Sequence, residues 1–418
     1  MIEKVWNTDK LRDRLQMKAI KARRPLSCTI ELTYRCNFHC KMCYVRMNDS
    51  QAAPYGRMKT VDEWLDMAKQ MKDAGVLYLN LTGGECTIYP GFERLYEELS
   101  KMGFFVSIMS NAGAYTPAIR ALFEKYPPYG ASITLYGGSN ETYKAVTGDP
   151  KGLDKTLENI RFFQSIGVPV SLNFTMIQEN VRDYPKVGKI CADLGIPYTL
   201  ITDITGHQKD PAFSNALTSR LTPAQRACVA CHNLEDVEIA LEKAKELEKE
   251  LANFVLPATA VHPSASAAGG ETPPLPSATG APVGDGSPVP QTAPKSSNSA
   301  PEMNACIGSY SGCSLFWNGE MQTCISMNGM NNLNPFEIGF EAAWQEIQKN
   351  HAETFKMPPA CQTCEMKGDC LHNCPARRFE GMGSTQQPDP YTCQYTSLLR
   401  IYRERQNNPS IPQAPSCS

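Results

Sequence analysis

Thr33-Tyr34-Arg35-Cys36-Asn37-Phe38-His39-Cys40-Lys41-Met42-Cys43 follows an apolar, β-branched run that begins at Ser27, and its C-x3-C-x2-C spacing gathers three thiols on one short loop. A four-iron cubane is ordinarily held by four thiolates, so three of them leave one iron open for chemistry. A zinc knuckle would instead use paired C-x2-C ligands closing a tetrahedron. The position of the loop, at the end of a strand-like segment, sets the reading of the chain around it.

Outward from that loop the sequence alternates short β-branched or apolar runs with amphipathic stretches. Strands are expected over 27–33, 77–81, 104–110, 131–135, 168–175 and 198–202. Helical spacing lies between them, as in Val61, Leu65, Ala68 and Met71, then Phe92, Leu95 and Leu99, then Leu157, Ile160 and Phe163. Repeated strand-helix units predict an α/β fold with a parallel sheet curled into a partial (β/α)6 barrel. Ligand sites gather at the C-terminal ends of such strands, which is where the cysteine loop falls.

One unit later, Leu81-Thr82-Gly83-Gly84-Glu85 ends the second strand. Glycines let backbone come close to a ligand, and a carboxylate beside them can receive an ammonium group. Ser110 and Asn111 end the third strand, Thr134 lies in the fourth and Asn173 in the fifth, so the fold would aim all four at the same ligand; each can equally serve as a cap or a loop bond. Cys86 follows the glycine pair closely enough to act as a hydrogen-atom donor, or to be a spectator thiol.

Together, the C-x3-C-x2-C loop and Gly83-Gly84-Glu85 resemble the radical S-adenosylmethionine (SAM) superfamily. The resemblance implies a [4Fe-4S] cluster on Cys36, Cys40 and Cys43, with SAM chelating the open iron and its amino group meeting Gly83, Gly84 and Glu85. It implies homolysis of the sulfonium to a 5'-deoxyadenosyl radical that takes hydrogen from a C-H bond.

A second cysteine framework fills the C-terminal quarter: Cys306, Cys313 and Cys324 around Gly319, then Cys361-x2-Cys364-x5-Cys370-x3-Cys374 and Cys393. It resembles the SPASM extension of some radical SAM enzymes, which carries auxiliary clusters. Carried over, the family pattern assigns one cluster to Cys306, Cys313, Cys324 and Cys374 and the other to Cys361, Cys364, Cys370 and Cys393, making three [4Fe-4S] clusters with SAM. Cys313 is the ligand the minimal motif does not demand. Of the remaining thiols, Cys28 and Cys191 read as small apolar fillers. Cys228-Val229-Ala230-Cys231-His232 has the spacing of haem attachment, but no export signal accompanies it.

Five regions result: an N-terminal helical segment (1–26), the barrel (27–233), a charged helix with i, i+3 and i+4 ion-pair spacings on a domain flank (234–256), a Pro/Ala/Ser-rich disordered linker (257–302) and the auxiliary-cluster domain with its tail (303–418). The net charge of −2 offers no basic surface for nucleic acid. No stretch reads as a signal peptide or membrane span, and 17 cysteines then point to metal ligation in a reducing cytoplasm.

SPASM-bearing enzymes mostly act on ribosomally made peptides or proteins. Ile133-Thr134-Leu135-Tyr136-Gly137 and the segment Glu141-Thr142-Tyr143 to Thr147-Gly148 resemble the peptide-maturase branch. The resemblance implies radical oxidation of a ribosomal peptide that installs a thioether or other cross-link, with ferredoxin or flavodoxin as electron donor. The short segment before the first strand leaves no room for a fused leader-binding domain, so a separate leader-peptide-binding protein is expected if a leader is recognised. Two alternatives stand: formylglycine formation as in anaerobic sulfatase maturases, and a non-catalytic iron-sulfur electron-transfer protein.

Overall fold

A computed structural model of the chain describes residues 8–231, 236–252, 307–327, 330, 333–367, 370, 374–382 and 384–407. Strands β1 (Ser27–Glu31), β2 (Tyr78–Thr82), β3 (Phe105–Ser110), β4 (Gly130–Leu135), β5 (Val170–Thr175) and β6 (Tyr198–Ile201) are parallel neighbours in sequence order. Helices connect them, as the alternating pattern requires. Both β7 (Gly312–Leu315) and β8 (Met321–Gln322) extend this same sheet: β7 runs parallel beside β1 and β8 returns antiparallel. The C-terminal cysteine region thus contributes an edge to the barrel sheet.

Period-two alternation explains the two faces of the sheet. Cys28, Ile30, Leu79, Leu81, Val106, Ile108, Ala131, Ile133, Leu172 and Phe174 are buried in the core under the helices. The intervening Thr29, Asn80, Ser107, Ser132 and Asn173 are polar and half-buried on the opposite face. The helix Val61–Ala74 illustrates the outer layer. Thr60 and Glu63 close a capping box at its start, Gly75 ends it at φ +102°, and Trp64, Met67, Ala68 and Met71 form the buried stripe. Val61 and Leu65, read as part of that stripe, are only partly buried beside it.

The charged helix is observed at Val237–Ala252. It is more than a solvated cover: Val237, Ala240, Leu241, Ala244 and Leu247 bury a continuous stripe in the main core. The N-terminal helix spans Thr8–Ala22. Residues 257–302, expected to be a linker, together with His232 and Cys306, lie outside the described residues.

Candidate functional site

Parallel register brings the motif-bearing strand ends to one edge. Glu31 pairs with Thr82, Leu81 with Ile108, and Ser110 with Ile133. The cysteine loop and the glycine turn then bond directly, with Gly84 N-H donating to Thr33 O at 2.6 Å and Glu85 N-H to Arg35 O at 3.0 Å. A Cβ on Gly84 would lie 2.4 Å from Arg35 O and 3.0 Å from Cys36 Cβ, so only glycine allows this approach.

The loop itself is strapped down. His39 N-H donates to Thr147 O at 2.8 Å and Lys41 N-H to Val146 O at 3.0 Å, while Phe38 packs edge-on against Tyr136 and Tyr143. The segment read as a family hallmark in the sequence therefore braces the cysteine loop. Amide donors reach two of its sulfurs: Phe38 N-H to Cys36 Sγ at 3.3 Å and Arg46 N-H to Cys43 Sγ at 3.1 Å.

Burial raises the Cys36 thiol to about 12, and the Glu85 carboxylate adds to this. Burial likewise pushes up Cys40, with Cys43 and Cys36 contributing, and it pushes up Cys43 against the pull of the Val45 and Arg46 amides. Three thiols that repel one another as thiolates, two of them with amide hydrogens aimed at the sulfur, fit the cationic core of an iron-sulfur cluster, whose charge offsets this penalty.

Glu85 is fully buried, and burial raises its pKa. Four donors oppose that rise: the Ser110 hydroxyl, the Asn111 N-H at 2.9 Å, the Thr87 hydroxyl at 2.8 Å and the Thr87 N-H at 3.3 Å. Gly83 lies at the same turn. Thr134 and Asn173 are register partners one and two strands beyond β3, and the Asn173 amide donates to Ser132 Oγ at 2.7 Å. Cys86 is buried among core residues, its Sγ 3.7 Å from Met109 O and 3.8 Å from Glu85 Oε1.

Sequence reading passed over Glu31. This residue is 1% exposed, neither of its carboxylate oxygens has a hydrogen-bond partner among the described residues, and burial carries its pKa to about 8 against the nearby Lys209 charge and Gln208 amide. Those two groups are already engaged, Lys209 with Glu320 at 2.8 Å and the Gln208 amide with Ile325 O at 3.1 Å. An acid in an otherwise apolar strand was the available signal.

In the C-terminal region Cys361, Cys364, Cys370 and Cys393 sense one another electrostatically. Burial raises Cys393 to about 12, with Cys361, Cys370 and Cys364 contributing, and Cys361 is raised by burial, then by Cys364 and Cys370, against the pull of Arg378. Cys374 lies in the field of the same arginine, and Cys324 accepts from Ser326 N-H at 3.5 Å. Cys313 sits opposite Cys28 across β7 and β1, both buried in the main core, with its Sγ 3.9 Å from Ser27 O. Cys28 and Cys191 are core thiols, as read from the sequence, and Cys228 joins them.

Residues 30–189 match the model of the Radical SAM superfamily. This part of the chain is a radical SAM domain. Over 171 residues the chain is 26% identical to the sporulation killing factor maturation protein SkfB of Bacillus subtilis (strain 168), covering 41% of this chain and 40% of SkfB. It thus spans about two fifths of the length of that curated relative. Among solved structures, Streptococcus suis SuiB bound to precursor peptide SuiA superposes with a TM-score of 0.58 at 16% identity, over 94% of this chain and 83% of SuiB. Native anSMEcpe with bound AdoMet and Cp18Cys peptide gives 0.57 at 15%, over 92% and 99%. The fold shared with both extends beyond the radical SAM domain into the C-terminal region. Among the described residues no helix is long and apolar enough to cross a membrane.

Proposed function

We propose that this chain is a radical SAM oxidase that modifies a ribosomal peptide, installing a thioether or another intramolecular cross-link. The observation that carries the reading is the direct bonding of the Gly83-Gly84-Glu85 turn to the Cys36 loop, through Thr33 O and Arg35 O. It puts a buried carboxylate next to a three-thiol donor set, the pairing that a chelating sulfonium amino acid needs.

Cys36, Cys40 and Cys43 would hold a [4Fe-4S] cluster, and Glu85 would receive the SAM ammonium. When bound, cluster and SAM supply one-electron cleavage of the sulfonium and a radical able to take hydrogen from an unactivated C-H bond. The protein's residues bind and orient. Amides at Phe38 and Arg46 steady two sulfurs, Ser110 and Thr87 donate to Glu85 against the burial that raises its pKa, and the Phe38, Tyr136 and Tyr143 rings fix the loop.

Auxiliary clusters on Cys361, Cys364, Cys370 and Cys393, and on Cys306, Cys324 and Cys374, would take up the electron left on the substrate. The mutual fields at the first four support that grouping. We assign Cys313 and Cys86 to the core because each is buried within the main cluster, Cys313 beside Cys28 and Cys86 beside Met109 O and the Glu85 carboxylate. SkfB is named as a maturation protein and SuiB binds the precursor peptide SuiA, and both support a peptide substrate. A ferredoxin or flavodoxin would supply the reducing electron, and a separate protein any leader recognition.

Anaerobic reconstitution with iron counting, followed by reduction with SAM and candidate precursor peptides, tests this. About twelve irons per chain, 5'-deoxyadenosine, and a peptide that loses a pair of hydrogens while consuming a thiol support cross-linking. Conversion of a sulfatase-derived cysteine to an aldehyde would move the assignment to formylglycine formation. Absence of deoxyadenosine from loaded, reduced protein would leave the electron-transfer reading.

A further inference from the structure

We propose that Asn111 is a tuning residue for the cluster on Cys36, Cys40 and Cys43: its carboxamide donates to Cys36 Sγ and holds the cluster's potential above the value the loop alone would give. This rests on the reading that these three cysteines bind a cluster.

The geometry is over-determined. The Asn111 Nδ2 group lies 3.4 Å from Cys36 Sγ and 2.9 Å from Asn37 Oδ1, so its two hydrogens meet two acceptors. Oδ1 accepts from Gly113 N-H at 2.7 Å, which fixes the orientation of the amide and leaves the NH2 end for the sulfur. The next residue, Ala112, sits at φ +54°, a left-handed conformation that costs a residue with a Cβ about 1 kcal/mol or more.

Two buried side chains of the helix Gly152–Ser165 keep the turn there. Thr156 Oγ1 donates to Asn111 O at 2.9 Å and Asn159 Nδ2 donates to Ala112 O at 2.7 Å, and the Ala112 N-H donates to Ser110 Oγ at 2.9 Å. A strained turn locked from three sides is a costly way to point one amide, and the amide is aimed at a thiol proposed to ligate iron.

A hydrogen bond to a cluster sulfur favours the reduced, more negative state and raises the potential. The other resolved donors to Cys36 and Cys43 are backbone amides of the loop and survive any side-chain change. Asn111 is the side chain that substitution can remove. Its N-H also donates to Glu85 Oε2 at 2.9 Å, so one residue spans the cluster loop and the carboxylate proposed for the SAM ammonium. Sequence alone assigned Asn111 to SAM; the geometry points its side chain to the cluster and only its backbone to Glu85.

The test is redox titration of the reconstituted full chain without SAM, followed by electron paramagnetic resonance, with the Cys36→Ala/Cys40→Ala/Cys43→Ala protein as the subtraction reference. Asn111→Ala removes the donor. Asn111→Asp keeps the acceptor for Gly113 N-H and so preserves the turn. With wild-type iron content, both should shift the difference signal to more negative potential, Asp further than Ala. An unchanged or more positive potential in a loaded variant, with or without weaker SAM binding, overturns the proposal. If the triple cysteine variant loses neither iron nor signal, the cluster assignment itself is what has failed.

Discussion

The carboxylate of Glu85 straddles a single hydroxyl, with Ser110 Oγ 2.8 Å from Oε1 and 2.9 Å from Oε2, in a site with no solvent exposure at the acid. Burial favours the protonated form, and that hydroxyl is one of the donors that oppose it by bonding the carboxylate. Ser110→Ala should weaken SAM binding about tenfold, the size of one lost hydrogen bond to a charged group. Glu85→Gln should abolish it. Calorimetry on reconstituted protein reads both, and an unaltered affinity in Glu85→Gln would remove Glu85 from the cofactor site.

Gly84→Ala drives a Cβ into the Arg35 carbonyl and the Cys36 side chain, rigid atoms that cannot swing aside. The loop must move, so the variant should retain the fold but lose iron bound by Cys36, Cys40 and Cys43. Gly103→Ala is the control. Its Cβ would meet nothing within 4 Å, and only the φ of +85° strains it, at about 1 kcal/mol.

Glu31 gives the protein a pH dependence of definite sign. Its acid titrates near 8 in the fold against 4.5 for an unperturbed glutamate, so folding takes up a proton between those values. The unfolded chain therefore binds fewer protons there, and stability falls as pH rises through the window, levelling above about 8. In urea unfolding of the metal-free chain from about pH 6 to about 8.5, the wild type should lose more stability with rising pH than Glu31→Gln does, a difference that separates Glu31 from buried Glu85 and from His39 and His207, whose lowered values act with the opposite sign.

Arg226 ties the barrel to the C-terminal helices. Its guanidinium is 4.0 Å from the Tyr395 ring centroid and 3.2 Å from Asp203 Oδ1, and Arg377 meets the other oxygen of Asp203 at 3.0 Å. The Arg226 side chain is 2% exposed, so Arg226→Ala leaves the partly buried carboxylate to Arg377 alone and empties a large buried space beside the ring. A loss of about 3 kcal/mol is expected from truncating so large a buried side chain, with earlier protease cleavage in the helix Pro390–Asn407.

Much of the architecture was legible because it follows local rules. Apolar, β-branched runs such as that from Ser27 set strands, and the Val61, Leu65, Ala68 and Met71 spacing sets a helix, although the buried stripe is centred on Trp64, Met67, Ala68 and Met71. All six strands agree with their expected positions to within about two residues. The attachment of β7 to β1 was not legible, since a long intervening segment separates them in sequence and only main-chain bonding in three dimensions joins them.

The sequence by itself determined the chemistry available: three thiols on one loop, a glycine pair with a carboxylate, and a second cysteine framework downstream. Spacing along a chain is local, and these motifs need only local spacing. Tertiary structure decided which groups face one another. It turned the Asn111 amide to Cys36, put Cys313 against Cys28 in the core, and enclosed the Glu31 acid without a hydrogen-bond partner among the described residues. Side-chain direction and burial depend on the packing of elements far apart in sequence, and the order of residues does not encode them locally.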